Sequence, residues 1–203
     1  MMMTDRIEDI LQFWFGAFPT PYTADARKVD MWFKNGADYD SEIFIKFGID
    51  YERAIDGRLD HWVHSYRGRL ALIILLDQFS RHIHRGAEQA FAQDVKAQDL
   101  CIDGIGAGDD SQMHAIERSF FYLPLEHAED IEKQNLSVRA YEQLVKDVPD
   151  EYQKPFKMNL EFARRHQFVI EKYGRFPELN EILGRESTKD ELAFIASGDY
   201  SFL

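Results

Sequence analysis

Two short stretches combine titratable side chains with rigid backbone residues at spacings that fit a polar site. In Leu123-Pro124-Leu125-Glu126-His127-Ala128-Glu129-Asp130, one imidazole and three carboxylates fall within five residues. In Gly174-Arg175-Phe176-Pro177-Glu178-Leu179-Asn180, followed by Leu183-Gly184-Arg185, two arginines and an asparagine stand among glycines and a proline. If the first stretch is helical, Glu126, Glu129 and Asp130 share a face and His127 reaches Asp130 three residues on. A carboxylate so placed sets the tautomer of a working imidazole, which makes His127, with Asp130 or Glu126, a candidate acid–base pair. The same residues have a structural reading, with Pro124 pinning the first helical turn and the acids favouring the positive end of its dipole. His166 lies between Phe162 and Ile170 on a helical pattern, so it faces inward, either as a core histidine or assisting His127.

A third constellation follows an apolar run. Asp77 comes directly after Leu70 to Leu76, and Arg81 stands four residues on. A buried, unpaired carboxylate is costly, so Asp77 and Arg81 are expected to form an internal ion pair. Arg81 and Arg85 also share a helix face and offer two guanidinium groups to an anion. Arg175, Asn180 and Arg185 surround the turns of the second stretch. They either bond free carbonyls at helix ends or hold a carboxylate or phosphate. The candidate ligand-binding set is therefore Arg81, Arg85, His127, Arg175, Asn180 and Arg185. The candidate catalytic set is His127, Glu126, Asp130 and His166. No HExxH or CxxC spacing is present, and no metal or cofactor is expected. Gly104-Ile105-Gly106-Ala107-Gly108 follows no strand and reads as a plain loop rather than a phosphate cradle.

The elements that must position these groups read as helices throughout. Ile7, Ile10, Leu11, Trp14 and Phe15 follow helical spacing, and Gly16 ends the run. Further helices are predicted over 25–34, carrying Val29, Trp32 and Phe33, and over 40–55, with Phe44, Phe47 and Tyr51 as its apolar stripe. The segment 65–82 is the central helix, apolar on every side at Leu70 to Leu76 and so buried all round. Others are expected over about 87–102, 111–122, 137–148, 155–173 and 177–183, with a new turn beginning at Pro124. A last helix starts at Ser187 or Thr188, where Thr188-x-x-Glu191 has capping-box spacing. No alternating strand pattern occurs. The fold class is all-α, one domain over residues 1–203, with antiparallel helix pairs in a tetratricopeptide-like superhelix or a compact bundle.

Composition narrows the functional classes. With 203 residues and 45% hydrophobic content, the chain can bury one sizeable core. Its formal charge of -12 argues against a nucleic-acid or anionic-membrane partner, although a local basic patch is compatible with an acidic whole. The single cysteine, Cys101, sits in an apolar helical context and reads as a buried core residue. That usage fits a reducing cytoplasm. The start lacks a signal-peptide pattern, and the longest apolar run, Leu70 to Leu76, has seven residues, against the roughly 20 needed to span a bilayer.

Taken together the motifs resemble one family, the bacterial domain of unknown function 924. The resemblance rests on Phe13-Trp14-Phe15-Gly16, Leu76-Asp77-Gln78-Phe79 with Arg81, and Phe121-Tyr122-Leu123-Pro124 with Glu126-His127, Glu129-Asp130 and Gln134. It continues through Gly174-Arg175-Phe176-Pro177, Asn180, Leu183-Gly184-Arg185 and Ser187-Thr188. Two departures stand out. The family's Pro-Arg-Asn is Ser80-Arg81-His82 here, and the arginine before its last Asn is Leu179. The resemblance implies a tetratricopeptide-like helical fold and carries no activity. Three functions fit the residues: binding of a small anionic ligand or acidic peptide end, acid–base catalysis at His127, and a protein–protein interaction module whose polar motifs fasten helix ends.

Overall fold

Leu70 to Leu76 are completely buried, and each such aliphatic side chain contributes about 1.5–3 kcal/mol on leaving water. This run lies in the middle of a continuous helical rod in the computed structural model, which describes residues 5–198. The described residues are helical, with one isolated β-bridge between Thr20 and Thr23 and no strand. They form two compact units, residues 5–85 with 89–124, and residues 86–88 with 125–198.

The first unit holds α1 (Arg6–Phe15), α2 (Ala26–Phe33), α3 (Asp40–Ile55), α4 (Tyr66–Ile73), α5 (Ser80–Ile83), α6 (Asp94–Ala107) and most of α7 (Ala115–Glu126). Asp5 caps α1, Asp25 caps α2 and Ser65 caps α4, each side-chain oxygen accepting an otherwise unpaired amide. Between α4 and α5 the rod widens into a π-helical segment, Ile74–Phe79. Such segments commonly mark functional or strained sites, and periodicity does not reveal them.

Four expectations need correction here. Gly104 and Gly106 are not a loop, because α6 runs on to Ala107 and only Gly108 takes the left-handed cap. Gly104 serves packing within the helix rather than a turn, since a Cβ there would come within 2.5 Å of Arg69 Cδ and Phe121 Cζ. The apolar stripe of α3 is Ile43, Phe47, Tyr51 and Ala54, while Phe44 is 60% exposed. On α2 the buried residue is Met31, and Phe33 points outward. Finally, Pro124 lies inside the last turn of α7, not at the start of a helix.

The second unit is built on α8 (Ile131–Asp147), α9 (Gln153–Tyr173) and α10 (Lys189–Ser197). Asn135 bonds Gln167 and Glu142 bonds Arg164. Rising numbers on α8 meet falling numbers on α9, so the two form an antiparallel hairpin. Tyr141 and Leu144 of α8 and Phe156, Leu160 and Ala163 of α9 are buried. Gly174, at φ +71°, ends α9 as a left-handed cap. Val169, Ile170 and Phe176 form a small core on which Tyr173, Leu179 and Phe194 pack. Thr188 and Glu191 close the capping box of α10.

Candidate functional site

The stretch from Glu126 to Asp130 is not a helix face. Glu126 ends α7, Asp130 is the N-cap of α8, and the residues between them form the connection. Asp130 Oδ1 accepts the amides of Glu132 at 2.8 Å and Lys133 at 3.1 Å, which is what stops a single helix from running through. Gln134, fully buried, donates from Nε2 to the carbonyls of Glu126 and Ala128 at 2.7 and 2.8 Å. Those bonds satisfy acceptors left free at the end of α7.

Glu126 and His166 are both buried, and His166 Nδ1 lies 3.4 Å from Glu126 Oε2. The shorter contact from Nδ1 is to the Phe162 carbonyl at 2.9 Å. Burial lowers the His166 pKa to about 4; the Phe162 bond opposes the shift and nearby His127 adds to it. His166 is therefore neutral at pH 7, facing a buried carboxyl. His127 is half-buried in the connection between α7 and α8.

Glu129 joins the two motifs. It receives Arg185 in a two-pronged pair, Nη1 to Oε2 at 2.6 Å and Nη2 to Oε1 at 2.9 Å. It also accepts the amide of Phe176 at 2.7 Å, while Arg185 Nη2 donates to the Phe176 carbonyl at 3.1 Å. Arg175 turns instead to Glu191, with Nε and Nη2 at 2.6 and 2.9 Å from its two oxygens, and donates to the Glu186 carbonyl at 2.8 Å. The Arg175 bonds and the Thr188 amide lower the Glu191 pKa to about 2. Asn180, 1% exposed, donates from Nδ2 to Ser187 Oγ at 3.0 Å, and its backbone carbonyl accepts the Arg185 amide at 2.7 Å.

Beside these pairs sits Glu178. Burial raises its pKa to about 7; its own backbone amide opposes the shift, Glu129 adds to it and Arg185 counters it. Glu178 Oε2, Asn180 Oδ1 and Arg185 Nε are buried without a protein hydrogen-bond partner. Sequence reading passed over Glu178 and Glu191 as site residues, although the capping-box spacing had already singled out Glu191.

Arg81 and Arg85 belong to the first unit. Arg81 Nη1 lies 3.3 Å from Asp77 Oδ1 and 2.9 Å from the Asp77 carbonyl, so the expected ion pair is present. Its stronger, two-pronged partner is Asp94, at 2.9 and 3.0 Å. Burial opposes the charge on Arg81, and Asp77 and Asp94 together outweigh it. Arg85 grips Asp40 at 2.6 and 2.8 Å, and His82 Nδ1 meets the same carboxylate at 2.8 Å.

The two departures from the family pattern have local roles. Ser80 Oγ donates to the Ala90 carbonyl at 2.8 Å, and His82 adds the contact to Asp40. Leu179 packs on the Val169, Ile170 and Phe176 cluster.

Residues 10–199 match the sequence profile of a family described as bacterial protein of unknown function, DUF924. The chain belongs to that family. No curated protein matches it. Among solved structures it is similar to the protein of unknown function ATU0120 from Agrobacterium tumefaciens, at 32% identity and a TM-score of 0.77. That match covers 95% of this chain and 98% of the other. Among the described residues, no helix is long and apolar enough to cross a membrane, and no cluster of three or more His, Cys, Asp or Glu gathers to hold a metal ion.

Proposed function

We propose that this DUF924 member is a protein–protein interaction module of the bacterial cytoplasm, with tetratricopeptide-like stacking of its helices. Its polar motifs would then fasten helix ends. One observation carries this reading: Arg81, Arg85, Arg175 and Arg185 are each gripped by both oxygens of a carboxylate within the chain. An incoming anion would have to displace one of those carboxylates, giving up a two-pronged, charge-assisted contact.

Binding of a small anion is the second reading, favoured by the buried Arg185 Nε that lacks a protein partner. In that case Arg185, Asn180 and His127 would hold the ligand. Thermal denaturation separates the two. Under the fastener reading, citrate and phosphate raise Tm no more than sodium chloride of equal ionic strength, and Arg185→Lys melts lower with or without them. Citrate raising the wild-type Tm by several degrees, with no rise in Arg185→Lys, would instead establish the anion site.

A further inference from the structure

Helix α3 carries an apolar face that its own fold does not use. Ile43, Phe47, Tyr51 and Ala54 are buried, yet Phe44, Ile45 and Ile49 are exposed by 60%, 79% and 70%. Ile45 and Ile49 are the most exposed large apolar side chains among the described residues. They stand one turn apart with Phe44 beside them, so the three form one patch. Other helices offer less. On α2 the corresponding pair is Val29 and Phe33, at 38% and 67%, and on α9 Met158 and Phe168 stand ten residues apart.

Gly48 lies in the middle of this patch. A glycine in mid-helix is less stable there than alanine, and nothing inside the chain demands it. Its backbone is not left-handed, and a Cβ would meet the Phe44 ring at 3.5 and 3.6 Å, which is ordinary contact. Gly68 and Gly104 are forced, since a Cβ would strike neighbours at 2.2 and 2.5 Å. Gly106 has room as well, but it stands one residue before α6 ends. A glycine among exposed apolar side chains lets a second backbone approach closely.

The charged edge of the patch complements itself. Glu42 and Arg53 are eleven residues, or three turns, apart, so they lie on one side of α3, six residues before and five after Gly48. Arg53 makes no hydrogen bond among the described residues. Its nearest carboxylate, Asp50, is 3.7 Å away and is already held by Arg6 at 3.1 Å. Glu42 spends one oxygen on Lys46, at 2.5 Å, and its side chain is 44% exposed.

We infer that α3 docks against α3 of a second copy of this chain, antiparallel and crossing at Gly48. A two-fold axis between antiparallel helices brings like edges together in reversed order, so Glu42 of each copy faces Arg53 of the other. Ile45 of one copy packs near Ile49 of the other, and Glu52 falls beside the Ser41 hydroxyl of the second copy. One helix supplies both halves of every pair, which is what selects the second copy as occupant. The inference deepens the interaction-module reading by naming the partner. It uses none of the motif arginines, so it can fail while that reading stands.

Sedimentation velocity of the full chain tests it. One helix laid on another is a small interface, so the expected Kd is roughly 10–100 μM. Dimer should therefore grow in as concentration rises from roughly 5 to roughly 300 μM. Ile45→Asp, with an unchanged Tm, should weaken association at least about tenfold. Gly48→Leu is sharper because it adds apolar surface. A merely adhesive patch would then associate more tightly, whereas a close crossing weakens at least about tenfold. Arg53→Glu and Glu42→Arg should each weaken self-association several-fold, and their equimolar mixture should recover it. Phe168→Asp, on α9, should change nothing. A chain that stays monomeric throughout, tighter association of Gly48→Leu, or a mixture no better than its components overturns the inference. So does association that Phe168→Asp removes and Ile45→Asp leaves intact.

Discussion

Arg81 and Arg185 are both gripped by two carboxylate oxygens, yet their surroundings differ. Around Arg81, Asp77 is completely buried, the Asp94 side chain keeps 16% of its exposure, and Phe91 lies over the guanidinium at 5.4 Å. Around Arg185, the Glu129 side chain keeps 30% of its exposure, and Glu178, Asn180 and Arg185 itself retain buried atoms without protein partners. The two guanidinium groups are equally exposed, but Asp77 has no solvent to screen it or to replace a missing partner, so the first network tolerates the loss of a member less well. The second has slack, and its charge balance moves with pH through Glu178. Fasteners of similar geometry thus differ in consequence because of what surrounds them.

Removing one member of the first network should give the largest effect. Asp77→Ala is expected to cost about 3 kcal/mol in urea denaturation, since a completely buried site is emptied and the part-buried Arg81 must rely on Asp94 alone. A loss below about 1 kcal/mol would mean that Asp94 suffices, and would erase the contrast between the two networks.

The second network should respond more weakly, and through pH. Glu178 carries a folded pKa of about 7 against an ordinary 4.5. Between those values the folded chain keeps a proton that the unfolded chain has released, so this group lowers stability as pH rises through the window and levels off above about 7. His166 has the opposite sign. Its pKa of about 4 against 6.5 means that the unfolded chain binds the extra proton, so stability rises with pH over that range. Glu178→Gln removes the first contribution and leaves the second. Its stability relative to wild type should therefore increase between about pH 5 and about pH 8 in denaturation series. Parallel curves for the two proteins would show that Glu178 titrates as an ordinary surface carboxyl.

Much of the fold was legible because its signals are local. Leu70 to Leu76 announced a buried helix, Gly174 an end, and Thr188 with Glu191 a start. What failed was non-local. Position 104 within α6 is glycine because Arg69 and Phe121 approach too closely for a Cβ, and the widening at Ile74–Phe79 leaves no mark in hydrophobic periodicity. Pro124 reads locally as a helix start, where proline is favoured, yet it stands inside α7, two residues before that helix ends at Glu126. In the candidate site, the Asp77 and Arg81 spacing held. The partners of the other arginines did not show, because Asp40 lies 45 residues from Arg85 and Glu129 lies 56 from Arg185. Helical spacing speaks for neighbours within a turn or two and is silent about such distances.

The fastener account is tested most directly by a double-mutant cycle on Arg185 and Glu129. Urea denaturation would compare Arg185→Ala, Glu129→Ala, their combination and the swapped pair, Arg185→Glu with Glu129→Arg. The account predicts a coupling of about 1 kcal/mol and partial recovery of stability in the swap. A coupling near zero with no recovery, together with citrate stabilising the wild type, would show that Arg185 is held for a ligand.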